Sequence, residues 1–433
     1  MSSGRRSRGA PGGRNRGAGA PRRSSPPNPH SASPSIASIV CASASPSSLA
    51  LAYPALAPGA DAHQPLVAGG GDAVQLAGAH VSHMLEAWRY FGASVNALLV
   101  NSPYNAIHFA YYAQLRAAMA VFSGEGVFVQ QGAYFYLDSS GTRHNFSAAG
   151  THTFVWELWR EWIKGSRAED LIGDQIKLMP LVSLSDIVPS PRPGGVLERW
   201  GFDLAVGATE KTARNAASYD SKAPFPIPVL TSDHVSIVRS IWRLLLSDDS
   251  AIAFDAAFVR YLVDLAVTDA IASGGADDEI ISREQQLEEI ATKVAGATGQ
   301  DATALLRRLS DPGADDRLFA AASEPQQDVV NVLARALFLV RIASLSVARA
   351  LGNDESSARS CKSWIKCWLS AIGVIPAGEF EVQDLVVDFE DAIAELDFSA
   401  GAELPSTLWL GEAAEYSARL SKVESVCAWG LPL

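Results

Sequence analysis

From about residue 72 onward, apolar positions recur at steps of three and four. Leu76, His80, Met84, Trp88 and Phe91 fall on one largely apolar stripe, which predicts a helix from Asp72 to Val100. Asn101-Ser102-Pro103 then reads as a stop followed by a start, with Ser102 as N-cap and Pro103 in the first turn. A second helix follows to about Phe122, with Ile107, Tyr111, Leu115 and Ala118/Met119 on one face and Gly124-Glu125-Gly126 closing it. The pattern next shortens to apolar and aromatic pieces, Val127 to Val129 and Tyr134 to Leu137. A turn signal at Ser139 to Thr142 follows them, so a small β-hairpin is expected within residues 127–146. Phe154, Leu158, Trp159 and Trp162 mark a third amphipathic helix behind an N-cap at Thr151.

Residues 165–200 carry four prolines and the pair Gly194-Gly195 and read as loop-rich; a helix is expected from Asp203 to Ser218. The three prolines at Pro224, Pro226 and Pro228 exclude a helix there and mark a boundary. Beyond it the helical period returns. It predicts helices from Thr231/Ser232 to Leu246, Phe254 to Ser273, Asp277 to Ala295, Asp301 to Leu309 and Gln326 to Leu351. Three more run from Ser357 to Ile372, Phe380 to Leu396 and Leu408 to Leu420. No fixed-period repeat is present. The expected fold class is all-α: one helical unit over 76–225 with a small β-hairpin insertion, and a second helical unit over 230–433.

Composition changes this picture at the amino terminus. Residues 1–75 are dominated by Gly, Ala, Ser, Pro and Arg, which offer too little apolar burial to offset the entropy of ordering, so a disordered tail is expected. The run Ile36 to Leu51 is diluted by serines and split by Pro46, unlike a secretory signal. An Arg- and Ser-rich transit peptide, a basic tail that touches nucleic acid, and a translation start placed too far upstream are the other readings. The first 60 residues hold seven arginines and no acid, so the remainder carries 28 basic against 47 acidic residues, or −19. A chain this acidic is soluble and a poor general nucleic-acid binder, which confines any phosphate binding to a local basic pocket.

Four cysteines in 433 residues are too few for a disulfide scaffold, and Cys361 and Cys367 have no histidine after them to complete a zinc site. Reduced thiols in a cytoplasmic protein are the expectation, with no metal and no cofactor. The most apolar helix, Val329 to Leu351, is interrupted by Arg335, Arg341 and Arg349, which argues for a buried helix and against a membrane span. No P-loop, dinucleotide fingerprint, nucleophile elbow or HExxH helix is present.

Three short pieces put polar and aromatic residues on otherwise apolar helices. They are Asn105 to Ala118, containing His108, Tyr111, Tyr112 and Arg116; Gly150 to Trp156, containing His152; and Arg214-Asn215 to Tyr219. Together they resemble the HEPN superfamily, in which a tyrosine- and alanine-rich helix packs in a small bundle. A later helix there carries Arg, a polar residue such as Asn, a short spacer and His. The resemblance implies RNA or nucleotide as ligand, metal-free ribonuclease chemistry, a cleft that usually spans a homodimer, and a defence or stress role in bacteria. Arg214 and Asn215 match the start of that motif, and Tyr219 stands where the family carries its histidine.

The chemistry can be stated separately. Cleaving RNA without metal needs a base at the 2′-hydroxyl, an acid at the 5′-oxygen and a cation at the phosphorane. Arg214 suits the last role, with Asn215 orienting the phosphate. Tyrosine, with a pKa of ~10, is a poor base, so Tyr219 is a candidate for stacking or hydrogen bonding. His108 and His152 are candidates for the missing proton carrier, and Arg116 and Tyr112 for ligand binding. Each also has a structural reading: Arg214 paired with an acid such as Asp220, Arg116 with its stem along apolar surface, His108 satisfied at the surface, and His152 set in the first turn of its helix. The alternative for the whole chain is a non-enzymatic scaffold or regulatory subunit acting through a protein partner.

Overall fold

The computed structural model describes residues 34–56, 70–130, 133–148, 150–188, 215, 232–246, 252–273, 282–311, 317–324, 328–352, 354–378, 381–400 and 413–431. The described residues from 34 onward form one unit, mostly helical, around a shared apolar core. The expected helix over 203–218 and the boundary at Pro224–Pro228 lie outside the described residues, apart from Asn215.

The amino-terminal region departs from expectation. Residues 34–56 are ordered as α1 (Ile36–Ala42), α2 (Pro46–Leu49) and a 3-10 helix (Ala50–Leu56). Ser35 caps α1 by accepting from the Ser38 amide at 3.2 Å. Ile39, Leu49, Tyr53 and Leu56 are buried, so a few apolar residues among serines suffice once a larger core receives them. Ala44 donates its amide to the Leu137 carbonyl at 2.6 Å, and Arg167 clamps the segment through the Ser43 carbonyl at 2.8 Å.

The helical hairpin read from the sequence is present as α3 (Asp72–Leu99) and α4 (Pro103–Gly124). The expected β-hairpin is a three-stranded antiparallel meander: β1 (Val127–Gln130), β2 (Ala133–Leu137) and β3 (Arg143–Asn145). Val127 faces Tyr136 and Phe135 faces Asn145 across its ladders. Next comes α5 (Thr151–Trp162). The stretch read as loop-rich contains α6 (Ser166–Gln175), a two-stranded hairpin of β4 (Lys177–Met179) and β5 (Val182–Ser183), and α7 (Leu184–Ile187). Ala168, Leu171 and Ile172 give α6 its buried face; all the prolines of the 165–200 stretch come after it.

Beyond residue 231 the helices are α8 (Ser232–Leu245), α9 (Ala253–Ser273), α10 (Arg283–Thr298), α11 (Ala302–Ser310), α12 (Arg317–Ser323) and α13 (Val329–Leu351). Then follow α14 (Glu355–Ala371), α15 (Val382–Ala400), α16 (Ala413–Leu420) and a second 3-10 helix (Val423–Ala428).

The central element is α13. It is long and apolar enough to cross a membrane, but 94% of its most apolar stretch is buried inside the protein. It packs on α3 and α4, which lie before the proline-rich stretch in sequence. Trp88 donates to Ser344 Oγ at 2.9 Å and Gln114 to the Val332 carbonyl at 3.1 Å. Two of its arginines are bonded to other parts of the fold. Arg335 donates to the Glu324 carbonyl at 2.6 Å, and Arg341 makes a two-bond ion pair with Asp255 of α9 at 2.8 and 2.6 Å. Arg341 also donates to the Gly430 carbonyl at 2.6 Å, which ties the carboxy-terminal segment to the core.

Candidate functional site

On α4, His108, Tyr112 and Arg116 follow at steps of four. That spacing stacks them on one face of a 3.6-residue helix. Their neighbours Tyr111 and Leu115 point into the core, and the three remain half-buried along its rim. On α3 the facing positions are His83 and Tyr90, seven residues apart and likewise half-buried. The two helices are held in register by Ser94, whose hydroxyl donates to the Ala106 carbonyl at 2.8 Å. Tyr90 therefore stacks on Tyr112, with ring centroids 5.5 Å apart, and Arg116 meets His83 at 3.1 Å.

The third wall is the start of α5. Gly150 precedes it at φ +129°, a conformation that disfavours side-chain-bearing residues, and turns the chain from the meander into the helix. Tyr134 of β2 bonds the Thr151 hydroxyl at 3.0 Å and meets Phe154 edge-on, so the meander fixes the first turn of α5. That turn delivers His152 to α4. Its Nδ1 lies 2.8 Å from the Tyr111 hydroxyl, with the two rings nearly parallel. Trp156, one turn on, donates to the same hydroxyl at 3.4 Å.

Tyr112 is the centre of the group. Its ring centroid lies 5.0 Å from that of His108, 5.9 Å from His152 and 5.5 Å from Tyr90. The structure thus brings together four residues singled out in the sequence: His108, Tyr112, Arg116 and His152. Asn215 is helical and exposed, while Arg214 and Tyr219 lie outside the described residues. Sequence reasoning missed His83 and Tyr90. Their signal was a polar-aromatic pair beside the apolar stripe of α3, next to Met84 and Phe91, which means nothing until α4 is laid against it.

The electrostatics follow from donor inventory. A guanidinium only donates, so His83 Nδ1 accepts from Arg116 and the imidazole proton sits on Nε2. Burial, followed by the Arg116 charge, lowers the His83 pKa from 6.5 to about 3, so the imidazole stays neutral at physiological pH. Among the described residues no carboxylate lies within ion-pair distance of Arg116, and Glu86 of α3 pairs with Arg89 at 3.0 Å instead. Nor do three His, Cys, Asp or Glu converge there to hold a metal ion. Compared with known proteins, the chain matches no family model, no curated sequence and no solved structure.

Proposed function

We propose that the face formed by α3, α4 and the start of α5 binds RNA or a nucleotide. The observation that carries this reading is the convergence of His108 and His152, from two helices, on the single ring of Tyr112, itself stacked on Tyr90. Aromatic and imidazole planes on a half-buried rim suit an unstacked base, and such stacking contributes roughly 1–3 kcal/mol per base. The acidic composition of the rest of the chain fits a ligand recognised locally and not through a broad basic field.

Metal-free cleavage of the bound strand is the associated activity. Two imidazoles on one ring supply the base and acid that transesterification needs, and Arg116, one turn along α4, is a cation for the phosphorane. The HEPN-like chemistry was expected with Arg214 as the cation and His108 or His152 as proton carrier; the reading here gives the cation's role to Arg116, since Arg214 lies outside the described residues.

The test is binding and cleavage of a short single-stranded RNA by the full chain in EDTA. Binding should weaken about tenfold or more in Tyr112→Ala, and cleavage should vanish in both His108→Ala and His152→Ala. RNA that neither binds nor is cut by the wild-type chain would sink the reading and return attention to a protein partner.

A further inference from the structure

Two arginines among the described residues have their charge met by an acid of the fold: Arg341 pairs with Asp255, and Arg167 with Glu125 at 3.1 Å. Arg116 differs. It is half-buried, its polar contact is a histidine held neutral, and no acid among the described residues neutralises it. A partly desolvated cation without a counter-ion is costly, and such a site is relieved by binding an anion.

The geometry also orients that cation. His83 Nδ1 accepts from one guanidinium nitrogen at 3.1 Å and so restrains the fork, while the Nε2 proton lies on the far side of the ring. A planar fork held by an imidazole matches phosphate oxygens better than a lone ammonium would. Arg116 also lies four residues, about 6 Å along the helix axis, from Tyr112. A nucleotide whose base rests on Tyr112 thereby brings its own phosphate toward Arg116.

We infer that Arg116 and His83 form a phosphate seat, and that the ligand of this face is recognised as a base and a phosphate one helical turn apart. The base half of this inference rests on the function proposed above; the seat stands on Arg116 and His83 alone.

The test is calorimetric titration of the full chain with adenosine, AMP, inorganic phosphate and a short oligoadenylate. AMP should bind at least about tenfold tighter than adenosine, the scale of one charge-assisted hydrogen-bond pair. Arg116→Ala should erase that difference, while Arg116→Lys, which keeps the charge and loses the fork, should recover only part of it. Tyr112→Ala should weaken adenosine and AMP alike. Equal affinity for AMP and adenosine in the wild type, or AMP binding untouched in Arg116→Ala, would overturn the seat while leaving the base platform standing. Phosphate bound through Arg116 with no response to Tyr112→Ala would keep the seat and sink the base platform. Absence of binding by all four ligands overturns both. A preference for AMP over the oligonucleotide assigns the seat to a phosphomonoester, and the reverse preference to an internal diester.

Discussion

Arg341 and Arg116 are the same residue placed in two settings. Arg341 is 1% exposed in the middle of α13, and each polar group around it has a partner: both oxygens of Asp255 and the Gly430 carbonyl. Arg116 sits at the rim, with a neutral imidazole as neighbour. Two histidines one turn apart on α3 repeat the contrast. His80 is fully buried with Nδ1 on the Tyr53 hydroxyl at 2.6 Å and Nε2 on Ser346 at 3.0 Å, and His83 faces Arg116. What separates the two regions is satisfaction and not polarity. A polar group closed by the fold reports on stability, and one the fold leaves uncompensated points toward a ligand.

The comparison breaks first where removal strands a charge. Asp255→Ala leaves Arg341 buried without its acid, and a loss of about 3–5 kcal/mol is expected, read as the shift of a urea midpoint. A smaller loss would mean that Gly430 and solvent compensate. Next in size is Tyr53→Phe, which removes the partner of His80 Nδ1 and should cost about 1–3 kcal/mol. Hydrogen exchange of residues 34–56 should rise in that variant, because Tyr53 is the buried anchor of the amino-terminal segment.

Glu424 sharpens the comparison from the acid side. It lies against α3 at Gly92 with a buried oxygen that has no hydrogen-bond partner. Burial raises its pKa from 4.5 to about 7, against weaker opposing effects of its backbone hydrogen bond, Arg89 and Lys422. The folded chain therefore holds this proton more tightly than the unfolded one. The stabilising contribution is complete below about pH 4.5 and is lost as pH rises through about 7. Glu424→Gln should flatten that slope and be the more stable chain at pH 8, as compared by urea midpoints at pH 5 and pH 8. The smallest effect on stability is expected from Arg116→Ala, within about 0.5 kcal/mol by the same measurement. A large loss there would place Arg116 with Arg341, as a structural residue.

The helical hairpin was readable because the apolar period and the first-turn proline agree, even though the Ser102 side chain makes no capping hydrogen bond. Pro103 starts α4 where it was expected, and the stripe from Leu76 to Phe91 is buried throughout. Residues 165–188 hold more regular structure than was expected, because the prolines of the longer stretch outweighed one short apolar face, that of Ala168, Leu171 and Ile172. Residues 34–56 were misread because Ile39 and Tyr53 are too sparse to fold alone; their burial is supplied by residues far away in sequence. At the site, His108, Tyr112, Arg116 and His152 stood out as residue types within short pieces. The His83–Arg116 contact could not be read, since it joins residues 33 positions apart and depends on the α3–α4 register.

The position of α13 has a consequence for how the chain is made. Its bonds to Gln114, Trp88 and His80 span 218, 256 and 266 positions. At roughly 5–20 residues per second, the ribosome delivers α13 on the order of ten to fifty seconds after α3 and α4. Throughout that interval the faces of α3 and α4 that α13 will cover have no partner. The nascent chain thus carries uncovered apolar surface during its own synthesis, and a message truncated before residue 329 should yield an aggregating product in place of a smaller folded protein.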